Sequence, residues 1–177
     1  MAHVIFITGG ARSGKSIFAE KRAREFGAPL CYLATAQTLD AEMDERVRRH
    51  RQRRGGEWSA IEEPVYLPQA LARCDGQSQA ILVDCLTLWL SNLLFKYEDA
   101  GEQVEERIYE DLQRLKSTLQ GMVTPVILVS NEVGMGIVPD NALARLFRDI
   151  AGTANQTIAA TADEVHIVIS GIPLRLK

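Results

Sequence analysis

The chain has 177 residues, 46% hydrophobic and 24% charged, enough for one domain with a substantial buried core. Twenty basic residues against 23 acidic ones leave a net charge of -3, which excludes a global basic field that recruits nucleic acid. No apolar run approaches the roughly 20 residues that a bilayer-spanning helix needs, so a soluble, cytoplasmic protein is expected.

Taken in chain order, Val4–Thr8 is a short apolar run that reads as a strand and not as a signal peptide. It leads directly into Gly9-Gly10-Ala11-Arg12-Ser13-Gly14-Lys15-Ser16, a full match to the phosphate-binding pattern G-x-x-x-x-G-K-[ST]. The glycines let the backbone wrap around phosphate oxygens, and the helix that follows, Lys15–Phe26, presents its positive end to the anion. In that setting Lys15 reaches the β- and γ-phosphates of ATP or GTP, and the Ser16 hydroxyl ligates Mg2+. The alternative is a chance glycine turn entering a helix.

A second strand-like run, Leu30–Ala34, is followed by a helical pattern over Ala41–Arg53, whose C-terminal half is strongly basic. Six arginines and His50 occur within the nine residues from Arg46 to Arg54. Helical spacing puts Met43, Val47 and His50 on one stripe flanked by Arg46, Arg53 and Arg54. Guanidinium groups around His50 disfavour its charged form and keep the imidazole nucleophilic, while they clamp a polyphosphate. Such a ring can attack an α-phosphorus and become a nucleotidyl-histidine. A solvated face or a phosphate-binding patch is the plainer reading of the same run.

Beyond the loop from Arg54 to Glu57 come a helix at Pro68–Arg73, a strand at Ala80–Asp84 and a helix at Leu86–Tyr97. Asp84 closes its strand and is either the second carboxylate that a phosphate loop needs for its metal, or the cap of the next helix. A loop over Glu98–Glu102 leads to a helix at Val104–Gln120. The strand Val126–Ser130, a glycine-containing turn over Gly134–Pro139, a helix at Asn141–Thr161 with Asp140 as N-cap, and a strand at Val165–Ser170 complete the chain. The runs are apolar nearly throughout, as strands buried on both faces read. Alternation with helices predicts one α/β domain, residues 1–177: a P-loop NTPase of RecA-like kind, its mostly parallel sheet flanked by helices. Cys31, Cys74 and Cys85 have no metal-ligand spacing and are expected to be buried small hydrophobes; His3 and His166 are expected to be structural.

Five segments, Thr8–Ser16, Tyr32–Gln37, Asp40–His50, Asn131–Pro139 and Phe147–Asn155, carry a closer likeness. In order and spacing they resemble the bifunctional adenosylcobinamide kinase / adenosylcobinamide-phosphate guanylyltransferase family of cobalamin biosynthesis, with the likeness running from Val4 to Lys177. The resemblance implies phosphorylation of adenosylcobinamide by ATP or GTP with Mg2+. It then implies transfer of GMP from GTP through a guanylylated histidine, here His50, to give adenosylcobinamide-GDP. It places nucleotide contacts at Gly9 to Ser16, Thr35, Ala36, Gln37, Arg51, Gln52, Arg53, Arg54, Glu62 and Asp84, with Ser16 and Asp84 at the metal. It also implies a homotrimer. The family has Glu where this chain has Asp84, which shortens that contact's reach. A plain small-molecule kinase, or a regulatory P-loop protein binding nucleic acid through Arg46–Arg54, shares the phosphate loop but leaves Asn131–Pro139 without a role.

Overall fold

The computed structural model describes residues 2–36 and 55–177. The helix expected at Ala41–Arg53, with His50, lies outside the described residues.

Seven strands form one sheet: β1 (Val4–Thr8), β2 (Leu30–Ala34), β3 (Trp58–Glu62), β4 (Ala80–Asp84), β5 (Val126–Val129), β6 (Glu164–Ile169) and β7 (Ile172–Arg175). Their order across the sheet is β3-β2-β4-β5-β1-β6-β7, and only the β6–β7 pair is antiparallel. The described helices are α1 (Lys15–Arg24), α2 (Leu67–Cys74), α3 (Leu86–Lys96), α4 (Val104–Gly121) and α5 (Ala142–Thr161). A 3-10 turn at Glu98–Gln103 occupies the stretch expected to be a loop.

The central strands are apolar at nearly every position because both faces are covered. Val4, Phe6, Leu33, Ile81, Val83 and Leu128 point into a core shared with α2, α3, α4 and α5. Ile5, Ile7, Leu30, Leu82, Ile127 and Val129 point the other way, towards Ala19 and Ala23 of α1. Each fully buried aliphatic side chain contributes roughly 1.5–3 kcal/mol relative to exposure. Trp89 is fully buried within the larger core and still satisfies its indole N–H, which donates to the Val65 carbonyl at 2.8 Å. All three cysteines are free and buried, as expected.

Two strands escaped the sequence pattern, and both are edges. β3 is largely exposed, and β7 is exposed along its whole length and contains Pro173, which an edge strand tolerates because one side needs no ladder bond. The N-cap of α5 is Asn141 and not Asp140: its side chain accepts from the Ala144 N–H at 3.1 Å. Among the described residues no helix is long and apolar enough to cross a membrane.

His3 and His166 are structural, through one carboxylate. Glu164 meets His3 Nε2 at 2.9 Å and His166 Nε2 at 3.0 Å, and receives both its bonds from Arg22 at 3.0 Å. Burial pushes the Glu164 carboxyl up, but the bonds from His166 and His3 and the charge of Arg22 outweigh it and hold the group down at about 2. A depressed carboxyl stabilises the fold above its ordinary value of 4.5, and that contribution drains away as pH falls from about 4.5 to about 2. Glu164→Gln is therefore expected to lower the melting temperature at neutral pH and to flatten its decline across that acid window. Parallel melting curves for the two proteins over that range would refute this role.

Candidate active site

A phosphate loop needs a strand to aim it and a helix to receive it, and β1 and α1 provide both. Gly14 takes φ 94° at the N-cap of α1, and Arg12 has φ 56°, so the chain curls through left-handed conformations before the helix begins. Gly9 is required by space as well: a Cβ there would collide with the Val168 carbonyl oxygen and come within 2.8 Å of Ser13 Oγ. The turn between β6 and β7 braces the loop from behind, with the Gly171 N–H donating to the Ser13 carbonyl at 2.8 Å.

Lys15 folds over its own loop and donates to the Gly10 carbonyl at 3.0 Å. The side chain is buried, which lowers its pKa, while the groups at Cys85 and Asp84 pull it back up. Lys15 thus feels the end of β4 although β5 lies between β1 and β4 in the sheet. Asp84 ends the next strand but one from the P-loop strand, about 10 Å away at ordinary strand spacing. The end of β2 is one strand further still.

Asp84 does not cap α3. The N-cap residue is Cys85, which makes no side-chain cap bond. Asp84 instead accepts at Oδ2 from the Tyr32 hydroxyl at 3.0 Å, and among the described residues Oδ1 takes no hydrogen bond. Thr8 Oγ1 and Ser13 Oγ are buried in the P-loop region without a partner among the described residues. Buried hydroxyls are normally satisfied, so two orphans beside a glycine-rich loop are what a phosphate-binding cradle leaves when its donors are shaped for a ligand.

Thr35, expected among the nucleotide contacts, has its side chain bonded within the fold. It is fully buried, and its hydroxyl donates to the Cys85 carbonyl at 2.7 Å and accepts from the Cys85 N–H at 2.8 Å. Its carbonyl accepts from Asn92 Nδ2 at 2.8 Å. These bonds spend the Thr35 side chain on fixing the start of α3 against β2, which leaves half-buried Ala36 as the part of that motif nearer the surface. Glu62, at the end of β3, shares the same sheet edge but lies four strand spacings from β1, about 19 Å. Gln37, His50, Arg51, Gln52, Arg53 and Arg54 fall outside the described residues.

The segment Asn131–Pro139 leaves β5, between the P-loop strand and the Asp84 strand. The Asn131 N–H donates to Thr87 Oγ1 at 2.7 Å, and the Glu132 N–H donates to the Gly9 carbonyl at 3.0 Å. Ser130 Oγ is paired with Asn155 Oδ1 at 2.7 Å, which ties the buried end of β5 to α5. The segment beyond is exposed, with Ile137 96% accessible.

Sequence reasoning missed Tyr32, Asn92, the Thr8 hydroxyl and the brace at Gly171. Only the brace had a signal: Ser170-Gly171 separates two runs of strand-forming residues, the pattern of a tight hairpin.

Residues 5–176 match the protein family described as cobinamide kinase / cobinamide phosphate guanyltransferase. Full-length relatives agree. The chain is 42% identical to the bifunctional adenosylcobalamin biosynthesis protein CobU of Escherichia coli K12, covering 98% of this chain and 99% of the relative. It is 44% identical to the CobU of Salmonella typhimurium LT2, with the same coverage. Identity to CobP of Pseudomonas aeruginosa PAO1 is 42%, over 97% of this chain and 95% of the relative. Among solved structures the RadB recombinase shares the fold, with a TM-score of 0.51 at 14% identity, covering 93% of this chain and 73% of the other.

Proposed function

The chain belongs to the cobinamide kinase / cobinamide phosphate guanyltransferase family, and from that premise we propose that it carries out two successive transfers on one small molecule. In the first, a hydroxyl of adenosylcobinamide takes the γ-phosphoryl group of ATP or GTP held by Gly9 to Ser16. In the second, His50 attacks the α-phosphorus of GTP and expels pyrophosphate. The phosphate of adenosylcobinamide phosphate then displaces the imidazole, giving adenosylcobinamide-GDP and restoring His50.

One observation supports the nucleotide site most directly. Lys15 is buried within electrostatic reach of Asp84, in the P-loop region that also holds the buried hydroxyls of Thr8 and Ser13, which have no partner among the described residues. A cation, preset donors and a carboxylate therefore meet at one sheet edge, where charge on a transferred phosphoryl group is best neutralised. Ser16 and Asp84 Oδ1, which takes no hydrogen bond among the described residues, are oxygen donors of the kind Mg2+ takes alongside substrate phosphates. When bound there, the ion would draw charge from the phosphate oxygens.

Ala36, Gln37, Arg51 to Arg54 and Glu62 belong to the nucleoside and polyphosphate contacts in this proposal; Thr35 enters through the backbone it holds in place. A single catalytic domain, a homotrimer and a cytoplasmic location are proposed with it, without a nucleic-acid partner. A shallow groove around Glu102, Glu105, Glu106 and Tyr109 lies at the start of α4 and is acidic, so it does not compete for phosphates.

Asp84→Asn tests the carboxylate. The change keeps the shape and removes the charge, so nucleotide affinity should fall chiefly in the presence of Mg2+. An unchanged Mg2+ dependence would remove Asp84 from the site.

A further inference from the structure

We infer that Tyr32 is a positioning residue for the nucleotide metal, holding Asp84 so that a single carboxylate oxygen faces the P-loop. Tyr32 matters in this way only if Asp84 serves the metal, as proposed above.

The strand register puts the two groups together. Tyr32 pairs with Leu82 and Ala34 with Asp84, so Asp84 lies two residues further along β4 than the partner of Tyr32. Both side chains therefore point to the sheet face covered by α1. A diagonal neighbour of this kind is about 7–8 Å away between backbones, a gap a tyrosine spans and a shorter side chain does not. The observed bond, Tyr32 hydroxyl to Asp84 Oδ2, is 3.0 Å.

The ring that carries the hydroxyl is itself held. It meets Trp58 edge-on, with centroids 6.4 Å apart and planes at 77°. Trp58 lies under the Arg24 guanidinium at 5.9 Å, and Arg24 is ion-paired to Glu57 at 2.6 Å. Tyr32 is also the one residue of β2 that is only half-buried; the other four are buried. Its hydroxyl donates to a carboxylate whose charge reaches the buried Lys15.

The chemical consequence concerns the carboxylate's freedom. Oδ2 is engaged and Oδ1 has no hydrogen bond among the described residues, so the group presents one oxygen in a fixed direction. Residues that orient a metal's carboxylate are typically worth 10- to 100-fold in metal affinity or activity. Tyr32→Phe would keep the ring against Trp58 and remove the hydroxyl that tethers Asp84.

Two readouts test this: binding of a fluorescent GTP analogue with and without Mg2+, and the Mg2+ concentration giving half-maximal phosphorylation. Tyr32→Phe should raise the Mg2+ requirement roughly 10-fold, with metal-free nucleotide binding kept and kcat at saturating Mg2+ changed far less. In an Asp84→Asn background the same change should add nothing, because the tether has no charged group left to hold. An unchanged Mg2+ requirement in Tyr32→Phe, where Asp84→Asn does raise it, overturns the role of Tyr32 alone. Additive effects in the double variant overturn it too, as does loss of metal-free binding in Tyr32→Phe, which would make the phenol a part of the fold. If Asp84→Asn itself leaves the Mg2+ dependence intact, the proposed role of Asp84 fails first and Tyr32 falls with it.

Discussion

Lys15→Ala is expected to lower phosphorylation of adenosylcobinamide by roughly 10²- to 10³-fold or more, with the fold intact. The ammonium group lies at the mouth of a helix N-terminus and is buried, so its field on a bound phosphate is screened far less than a surface lysine's would be. Charge gathers on the γ-phosphoryl oxygens as the bond to the β-phosphate lengthens, and a fixed cation lowers that state more than the ground state. Loss should therefore appear in kcat more than in nucleotide affinity. Lys15→Arg should not restore the rate, because a planar guanidinium does not reproduce the compact point charge of an ammonium group. Circular dichroism and melting control for folding, and only the side chain's bond to Gly10 is lost from the apo structure. Near-normal turnover by folded Lys15→Ala would exclude the P-loop as the site of phosphoryl transfer.

The elements that sequence reasoning located well are those whose physics is local. β1, β2 and β4 coincide with the expected bounds because a strand buried on both faces must be apolar at consecutive positions. The P-loop was legible because its glycines answer a steric demand that leaves few substitutes, as the Val168 carbonyl beside Gly9 shows. β3 and β7 were not legible, since an edge strand in contact with water has no compulsory pattern. Strand order was hidden for another reason. β5 inserts between β1 and β4, and the pairing of distant segments leaves no trace in either segment alone.

The site divides along the same line. Lys15, Ser16 and Asp84 could be named from a motif and a strand end. Tyr32 could not, because its bond to Asp84 crosses 52 positions and depends on register. Thr35, named from its motif, has a fully buried side chain bonded to both the N–H and the carbonyl of Cys85, a link across 50 positions that its motif does not reveal. Nearness to a site and contact with its ligand are separate properties, and only burial and bonding tell them apart.

The largest qualitative effect is expected at His50, in the arginine-rich segment beyond the described residues. Incubation with GTP and Mg2+ should add one GMP to the intact protein, visible as a mass increase. A phosphoramidate on imidazole nitrogen is labile to acid and stable to alkali, unlike a serine ester or an acyl phosphate, so mild acid should release the adduct and base should retain it. His50→Ala should abolish both the adduct and the guanylyl transfer. His50→Asn is the closer control, since it preserves polarity and approximate size while removing the nucleophilic nitrogen. Phosphorylation of adenosylcobinamide should survive in part in both variants, because that step uses Lys15 and needs no protein nucleophile. Persistence of the adduct in either variant would place the nucleophile elsewhere. His3 and His166 are poor substitutes, as both are bonded to Glu164 and His166 is buried as well. Loss of both activities together, in protein that melts normally, would instead assign His50 and its arginines to nucleotide binding, and the covalent route would lose its main support.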